Sequence, residues 1–154
     1  MVNPFRIVLH APEIPQNTGT IGRLCVCTGA ELHLIEPLGF EVTETRLQRA
    51  GLDYWAHLTW RVHPNWEAFL RSERPERLFF ATAHAQATLY ETAFADGDWL
   101  VFGNETSGLP AEMHRRYADR MRTIPMPGDH ARTHNLANAV SIVLYEALRQ
   151  TRGW

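Results

Sequence analysis

Short apolar runs rich in β-branched and aromatic residues alternate along the chain with stretches that have a helical apolar pattern. This alternation is typical of an α/β fold, in which helices connect and flank the strands of a mostly parallel sheet. We therefore predict a single α/β domain over residues 1–154, a length that supplies one good core. The predicted strands cover residues 5–10, 31–37, 58–63, 77–83, 99–103 and 123–126.

Capping and turn residues predict the helices between these strands. Asn17 or Thr18 is the expected N-cap of the first helix, and Gly29 follows its last residue. Pro64 is expected at the start of a later helix, because proline suits the first helical turn. The other predicted helices cover 44–50, 64–73, a segment that starts near 110, and 136–150.

The last predicted helix is apolar almost all the way round. Leu136, Val143 and Ala147 mark one side, whereas Ile142 and Tyr145 lie on the opposite one. A surface helix needs only one apolar stripe, so this helix needs to be covered on two sides. We expect the core of the domain to cover the first side and a second copy of the chain to cover the other.

Composition narrows the classes of function. All 15 basic residues are arginine, so no phosphate-binding, Schiff-base or cofactor-anchoring lysine exists. A net charge of −2 lacks the basic footprint that is usual for a nucleic-acid binder. The chain shows no signal-peptide pattern and no apolar run of about 20 residues, so we expect a cytoplasmic protein that does not cross a membrane.

Three polar loops each follow an apolar strand, at 12–22, 103–110 and 127–135. The carboxyl ends of parallel strands meet at one edge of a sheet, where open α/β sheets bind ligands. We therefore expect the polar side chains of these loops to converge there. The alternative is that the asparagines cap helices, the glutamate complements a helix dipole and the arginine is a solvated helix residue. The residues concerned are Asn17, Arg23, Asn104, Glu105, Thr133 and Asn135.

Metal binding is not expected. His130 and His134 have the spacing of two ligands on one helical face, but Pro127 and Gly128 favour a loop and a third ligand is missing. A zinc-dependent hydrolase is the function that this pair would support.

The three loops together resemble the motifs of the SPOUT methyltransferases. The stretches concerned are PEIPQNTGTIGRLCVCTGAELHLIEPLGF with RAGLDYW, then LVFGNETSGLP, then IPMPGDHARTHNLANAVSIVLYEALRQ. The resemblance covers nearly the whole chain and is closest to the TrmL-like branch, tRNA 2'-O-methyltransferases that act on the wobble nucleotide. It implies a deep C-terminal trefoil knot, S-adenosyl-L-methionine as methyl donor, a homodimer formed through the last helix, and the tRNA anticodon stem-loop as partner.

Carried over residue by residue, the resemblance places the cofactor pocket at Ala81, Gly103, Ile124 and Thr133. It places the catalytic and RNA-facing set at Asn17, Arg23, Glu105 and Asn135. Where the family's third motif commonly has Ser followed by Leu or Met, this chain has Thr133 and His134. His134 therefore brings a titratable ring into the expected site.

A mechanism follows for Arg23, whose guanidinium stays protonated in proteins. We expect it to hold a substrate phosphate and stabilise the developing alkoxide, while Glu105 or His134 takes the proton. Two other functions stay open. One is methylation of rRNA ribose by an enzyme of the same class, and the other is a non-catalytic module that binds RNA or nucleotides.

Overall fold

The computed structural model describes residues 3–42 and 53–154. A six-stranded sheet lies at its centre, with the strand order β3-β2-β1-β5-β4-β6. Each pairing between these strands is parallel, which confirms the predicted sheet. The strands are β1 (Arg6–His10), β2 (Glu31–Ile35), β3 (Trp60–His63), β4 (Leu78–Ala81), β5 (Trp99–Phe102) and β6 (Met121–Arg122).

Helices cover both faces of the sheet. They are α1 (Pro15–Thr28), α2 (Trp66–Glu73), α3 (Ala111–Arg116) and α4 (Leu136–Arg152). Short 3₁₀ turns lie at Asp53–His57, Leu89–Glu91 and Ala118–Arg120. The helix predicted over 44–50 lies outside the described residues. None of the described helices is long and apolar enough to span a membrane.

The strands are apolar on both sides because the sheet is buried on both sides. Ile7 and Leu9 of β1 face one core, which includes Ile21 of α1 and Val140 of α4. Val8 of the same strand faces the second core, to which α2 and α3 contribute aromatic and methionine side chains. This arrangement explains why the strands read as continuous apolar runs in the sequence.

The start of α1 corrects the sequence prediction. The helix begins at Pro15 with Ile14 as its N-cap, so neither Asn17 nor Thr18 is the cap. Both side chains are buried inside the first turns. Proline at the first helical position is favoured because its φ suits a helix and its missing N–H would lack a helical partner anyway.

Two other boundaries also differ from the prediction. The strand expected over 123–126 lies earlier, because β6 pairs with β4 only through Met121 and Arg122. Prolines in the following segment have no N–H to donate to a ladder. The helix expected to start at Pro64 starts at Trp66, because the Asn65 side chain accepts a hydrogen bond from the Ala68 N–H at 2.8 Å and caps it.

The long last helix is confirmed, and the domain covers most of its apolar side chains. Val140, Leu144 and Ala147 have no exposed surface, whereas Tyr145 is 47% exposed. Trp154, which is 68% exposed, lies near Tyr145, and their ring centroids are 6.3 Å apart. The knot stays a prediction.

Candidate active site at the carboxyl edge of the sheet

A cavity of about 470 Å³ lies at the carboxyl edge of the sheet, beside the ends of β4 and β5. Segments that follow β1, β4, β5 and β6 form its walls, and Phe102, Leu109 and Leu136 make part of them apolar. The volume is typical of a site for a small molecule. The predicted site residues that line the cavity are Asn17, Ala81, Gly103, Asn104, Glu105, Ile124, Thr133 and Asn135.

Three of these residues form a chain of hydrogen bonds across the segments. The Glu105 carboxylate accepts from the backbone N–H groups of Glu13 at 2.9 Å and Ile14 at 2.7 Å, and from the Asn17 amide at 3.2 Å. The Asn17 carbonyl oxygen in turn accepts from the Asn135 amide at 3.1 Å. The three polar loops therefore converge, as the parallel sheet predicts.

Asn135 lines the cavity and caps a helix at once. Its carbonyl oxygen accepts from the backbone N–H groups of Ala137 at 2.9 Å and Asn138 at 3.3 Å, which start α4. Glu105, in contrast, lies in the turn after β5, outside every described helix. Its carboxylate complements the N-terminus of α1, a helix that follows β1. The two interpretations, as a helix cap and as a residue of the cavity, are therefore compatible for Asn135.

Gly103 lines the cavity and also shapes the loop that follows β5. A Cβ at this position would overlap the backbone of Gly108 and Leu109 in the same loop. That loop is closed by backbone hydrogen bonds between Asn104 and Gly108, and Gly103 allows it to fold tightly beside the cavity.

Arg23 is the one predicted site residue that does not line the cavity. It is exposed on α1, one turn after Gly19, whose carbonyl oxygen accepts a hydrogen bond from the Tyr54 hydroxyl at 2.7 Å. Burial raises the pKa of Tyr54, and the nearby Arg23 charge partly opposes this. Arg23 therefore lies beside Tyr54 on the outer surface of α1.

Sequence reasoning missed part of the cavity wall. Thr82 and Ala83 follow β4, and His84 lies 6.1 Å from His114 between ring centroids. Both histidines line the cavity. Isolated histidines carry no signal in the sequence, and only the packing of the segment after β4 against α3 brings this pair together.

A second polar cluster lies away from the cavity. His33, His63 and Glu73 have ligand atoms within 4.8 Å of one another, and they are the one such group of three in the described ranges. Among the residues that the structure describes, the His130–His134 pair belongs to no such group. His33 Nδ1 and His63 Nε2 are 3.0 Å apart, while the ring centroids are 5.3 Å apart with planes 10° from parallel. The nitrogens thus face each other between the rings, as in an N–H···N hydrogen bond.

The fold and the site together define a class. A parallel α/β sheet with an apolar cavity and convergent polar groups at its carboxyl edge is the arrangement of an enzyme that binds a nucleotide-like ligand. The chain matches the model of the SpoU rRNA Methylase family over residues 4–145, and it belongs to that family. The predicted resemblance to SPOUT methyltransferases is thereby confirmed.

Known relatives agree with this assignment. The tRNA (cytidine(34)-2'-O)-methyltransferase of Burkholderia cenocepacia is 50% identical over 149 residues, which are 95% of each chain. A solved structure described as "Structural insights into the 2-OH methylation of C/U34 on tRNA" superimposes with a TM-score of 0.91 at 46% identity and covers 99% of both chains. The SpoU methyltransferase AviRb of Streptomyces viridochromogenes, solved with AdoMet, has a TM-score of 0.81 at 26% identity over 97% of this chain and 58% of its own.

Proposed function

We propose that this chain transfers a methyl group from S-adenosyl-L-methionine to the ribose 2'-hydroxyl of the wobble nucleotide, cytidine or uridine, in a tRNA anticodon. The Burkholderia relative is named as a tRNA (cytidine(34)-2'-O)-methyltransferase and is similar over nearly the whole chain, and the description of the solved structure with a TM-score of 0.91 refers to C/U34. The observation that carries the proposal is the hydrogen-bonded chain of Glu105, Asn17 and Asn135 beside an apolar cavity. We place the activity in the cytoplasm.

The cavity suits S-adenosyl-L-methionine in size and chemistry. Ala81 and Ile124 offer apolar surface, and the backbone around Gly103 and Thr133 offers polar groups to an adenosine and a methionyl moiety. When bound, this cofactor supplies a methyl group on a sulfonium and leaves as S-adenosyl-L-homocysteine. The protein's own part is to align the ribose oxygen with that methyl group and to remove a proton.

Asn17 and Asn135 hold the ribose in this proposal. Each amide nitrogen carries two hydrogens, and each uses one of them in the hydrogen-bonded chain. The second hydrogen is available to an oxygen of the substrate. Fixed donors beside the reacting oxygen orient it and stabilise the negative charge that develops as it loses its proton.

His134 is the proposed proton acceptor. Its side chain lines the cavity and is exposed, next to Asn135 in the chain. Imidazole exchanges protons in the physiological range, which suits a general base. His134→Gln should lower the rate of methylation strongly, and a variant that keeps the wild-type rate would remove His134 from this role.

Arg23 and two further arginines are proposed to bind RNA phosphates outside the cavity. Arg23 follows Asn17 by six residues on α1, about 9 Å along the helix axis. Arg23, Arg115 and Arg132 form no ion pair with a carboxylate in the described part of the chain, so their guanidinium groups are available to phosphate. Ion pairs engage Arg6, Arg61, Arg77, Arg116, Arg120, Arg149 and Arg152.

The test is direct. Purified protein is incubated with labelled S-adenosyl-L-methionine and with total tRNA or rRNA, and mass spectrometry maps the modified nucleotide. A 2'-O-methyl group at position 34 of tRNA is the expected result. Label in rRNA alone would support the ribosomal alternative, and no transfer to either RNA together with cofactor binding would support a non-catalytic module.

We also propose that the chain is a homodimer formed through α4. Tyr145 and Trp154 place two exposed aromatic rings side by side on this surface, next to the half-buried Ile142. A contiguous apolar patch of this kind is typical of an interface between copies. Light scattering should give twice the 17.6 kDa of one chain.

Tyr145→Arg tests the interface because it places a charge in the middle of the patch. We expect this variant to run as a monomer. Tyr90→Arg is the matched control, since Tyr90 is a 58% exposed tyrosine on the 3₁₀ turn Leu89–Glu91. A Tyr145→Arg protein that stays dimeric would contradict the proposed interface.

A further inference from the structure

The surroundings of Glu105 suggest a role other than proton transfer. Its two carboxylate oxygens accept three hydrogen bonds, from the backbone N–H groups of Glu13 and Ile14 and from the Asn17 amide. A general base needs an oxygen directed at the substrate hydroxyl. Both oxygens of Glu105 are instead directed at the start of α1.

The same hydrogen bonds fix which end of each side-chain amide, of Asn17 and of Asn135, donates and which accepts. Both carboxylate oxygens of Glu105 accept hydrogen bonds, so the Asn17 nitrogen faces Glu105 and the Asn17 oxygen faces Asn135. At the other end, the backbone N–H groups of Ala137 and Asn138 donate only, so the Asn135 oxygen faces them. Each amide therefore has a single orientation that satisfies both neighbours.

We propose that Glu105 is a positioning residue that locks the amide orientations of Asn17 and Asn135 and holds the start of α1 against the loop after β5. With this lock, the uncommitted amide hydrogens of both asparagines stay fixed at the cavity. Thr106 adds a second link between the same two segments, because its hydroxyl donates to Glu13 at 2.9 Å. The inference rests on the proposed function, which supplies the substrate. Its geometry comes from the hydrogen bonds of Glu105, Asn17 and Asn135.

Glu105→Gln separates positioning from proton transfer. The glutamine oxygen can still accept from Asn17 and Ile14, whereas the glutamine nitrogen then faces the Glu13 N–H, so that bond is lost and two donors meet there. We expect the rate constant kcat to fall less than about tenfold in this variant and about a hundredfold or more in Glu105→Ala. Equal loss in both variants would overturn the inference, because it would mean that the negative charge itself is needed.

A paired substitution tests the direction of the hydrogen bond between Asn17 and Glu105. Asn17→Asp places a second acceptor against Glu105, so we expect kcat to fall about a hundredfold. Adding Glu105→Gln lets the glutamine nitrogen donate to the new carboxylate at position 17, while the glutamine oxygen keeps the bond from the Glu13 N–H and the bond from Ile14 is lost. The double variant should recover at least about tenfold over Asn17→Asp alone. A double variant with no recovery would contradict the lock.

Two readouts do not depend on methylation. Calorimetric affinity for S-adenosyl-L-homocysteine should change less than about threefold in Glu105→Gln, and thermal unfolding of the four proteins should show the same coupling between positions 17 and 105. If wild-type protein methylates no tRNA, the proposed function fails, and the unfolding data still decide the lock. Additive unfolding effects would reject it.

A matched control removes a helix cap elsewhere. Asn65→Ala deletes the cap of α2, which belongs to the second core and does not line the cavity. We expect it to lower thermal stability about as much as Glu105→Ala and to leave kcat and KM unchanged. A similar fall of kcat in Asn65→Ala would mean that lost stability alone explains the effect of Glu105→Ala, and the inference would be wrong.

Discussion

Two polar clusters in this fold join distant segments by hydrogen bonds, and their surroundings differ. Glu105, Asn17 and Asn135 lie beside the cavity at the carboxyl edge of the sheet. His33 and His63 lie within the sheet's other half, 1% and 5% exposed, with Phe69 against both rings. The first cluster faces space that a ligand can fill, and the second faces side chains.

The difference shows how to tell a binding site from a structural one. The asparagines at the cavity each keep an amide hydrogen that no described residue accepts. In the histidine pair, the two facing nitrogens are within hydrogen-bond distance of each other, and aromatic rings surround the pair. Uncommitted donors beside a cavity serve binding, whereas satisfied buried groups serve stability. Substitutions in the two clusters should accordingly change different measurements.

The largest expected effect tests whether the site extends beyond the cavity. Arg23→Ala removes the proposed phosphate contact that positions the RNA, so we expect methylation of tRNA to fall about a hundredfold or more. Affinity for S-adenosyl-L-homocysteine should stay within about twofold by calorimetry, because Arg23 does not line the cavity. Arg71→Ala, an exposed arginine on α2, is the control and should stay active. A fully active Arg23→Ala would confine the site to the cavity.

The next effect concerns the wall of the cavity. Gly103→Ala would force the loop after β5 apart, since the added Cβ overlaps the backbone of Gly108 and Leu109. We expect S-adenosyl-L-homocysteine to bind roughly tenfold to a hundredfold more weakly. Gly128→Ala is the control, because a Cβ there meets no atom within 4 Å. Unchanged affinity in Gly103→Ala would place the ligand elsewhere.

The elements with long apolar patterns could be predicted from the sequence, and the contacts between loops could not. The parallel strands and α4 were predictable because elements that are buried on two faces have long apolar patterns in their own sequence. The start of α1 at Pro15 was missed although proline is a local signal for it, whereas the carboxylate that complements this start comes from Glu105, 91 residues from Ile14, and could not be predicted. The convergence of the loops followed from the parallel sheet, whereas the orientation of each amide depends on atomic contacts.

The histidine pair shows the same limit for the second cluster. His33 and His63 are 30 residues apart, and their contact depends on the register between β2 and β3, in which Ile35 pairs with His63. A register follows from the packing of many side chains rather than from a local motif. The two residues therefore looked unrelated in the sequence, although they form one buried unit.

The third prediction addresses stability rather than activity. His33→Ala leaves a cavity among Phe69 and Trp99 and deprives His63 of its partner. We expect the free energy of unfolding to fall by about 2–3 kcal/mol in urea titrations at pH 7.5. The rate constant for methylation should stay within about twofold where the variant is folded. A large loss of activity with unchanged stability would mean that this cluster belongs to the site.

The smallest effect is a pH dependence that belongs to the buried cluster. Burial lowers the pKa of His33 from 6.5 to about 4, against the opposing charge of Glu73. His63, Arg61 and Arg6 add to the lowering. Between about pH 4 and pH 6.5, His33 binds a proton in the unfolded chain but not in the folded chain. Stability therefore falls as pH drops below about 6.5 and is constant above about 7.5.

For His33 alone this linkage amounts to about 2 kcal/mol between pH 7 and pH 5. Burial also lowers the pKa of His63, so the loss on acidification has the same sign there. The double variant His33→Asn, His63→Gln keeps polar atoms near the facing nitrogens and removes both titrating rings. Urea titrations at pH 5, 6 and 7 should show a shallower pH slope for it than for the wild type. Parallel slopes would mean that the pair takes up protons while still folded, and hence that water reaches it as it reaches the cavity.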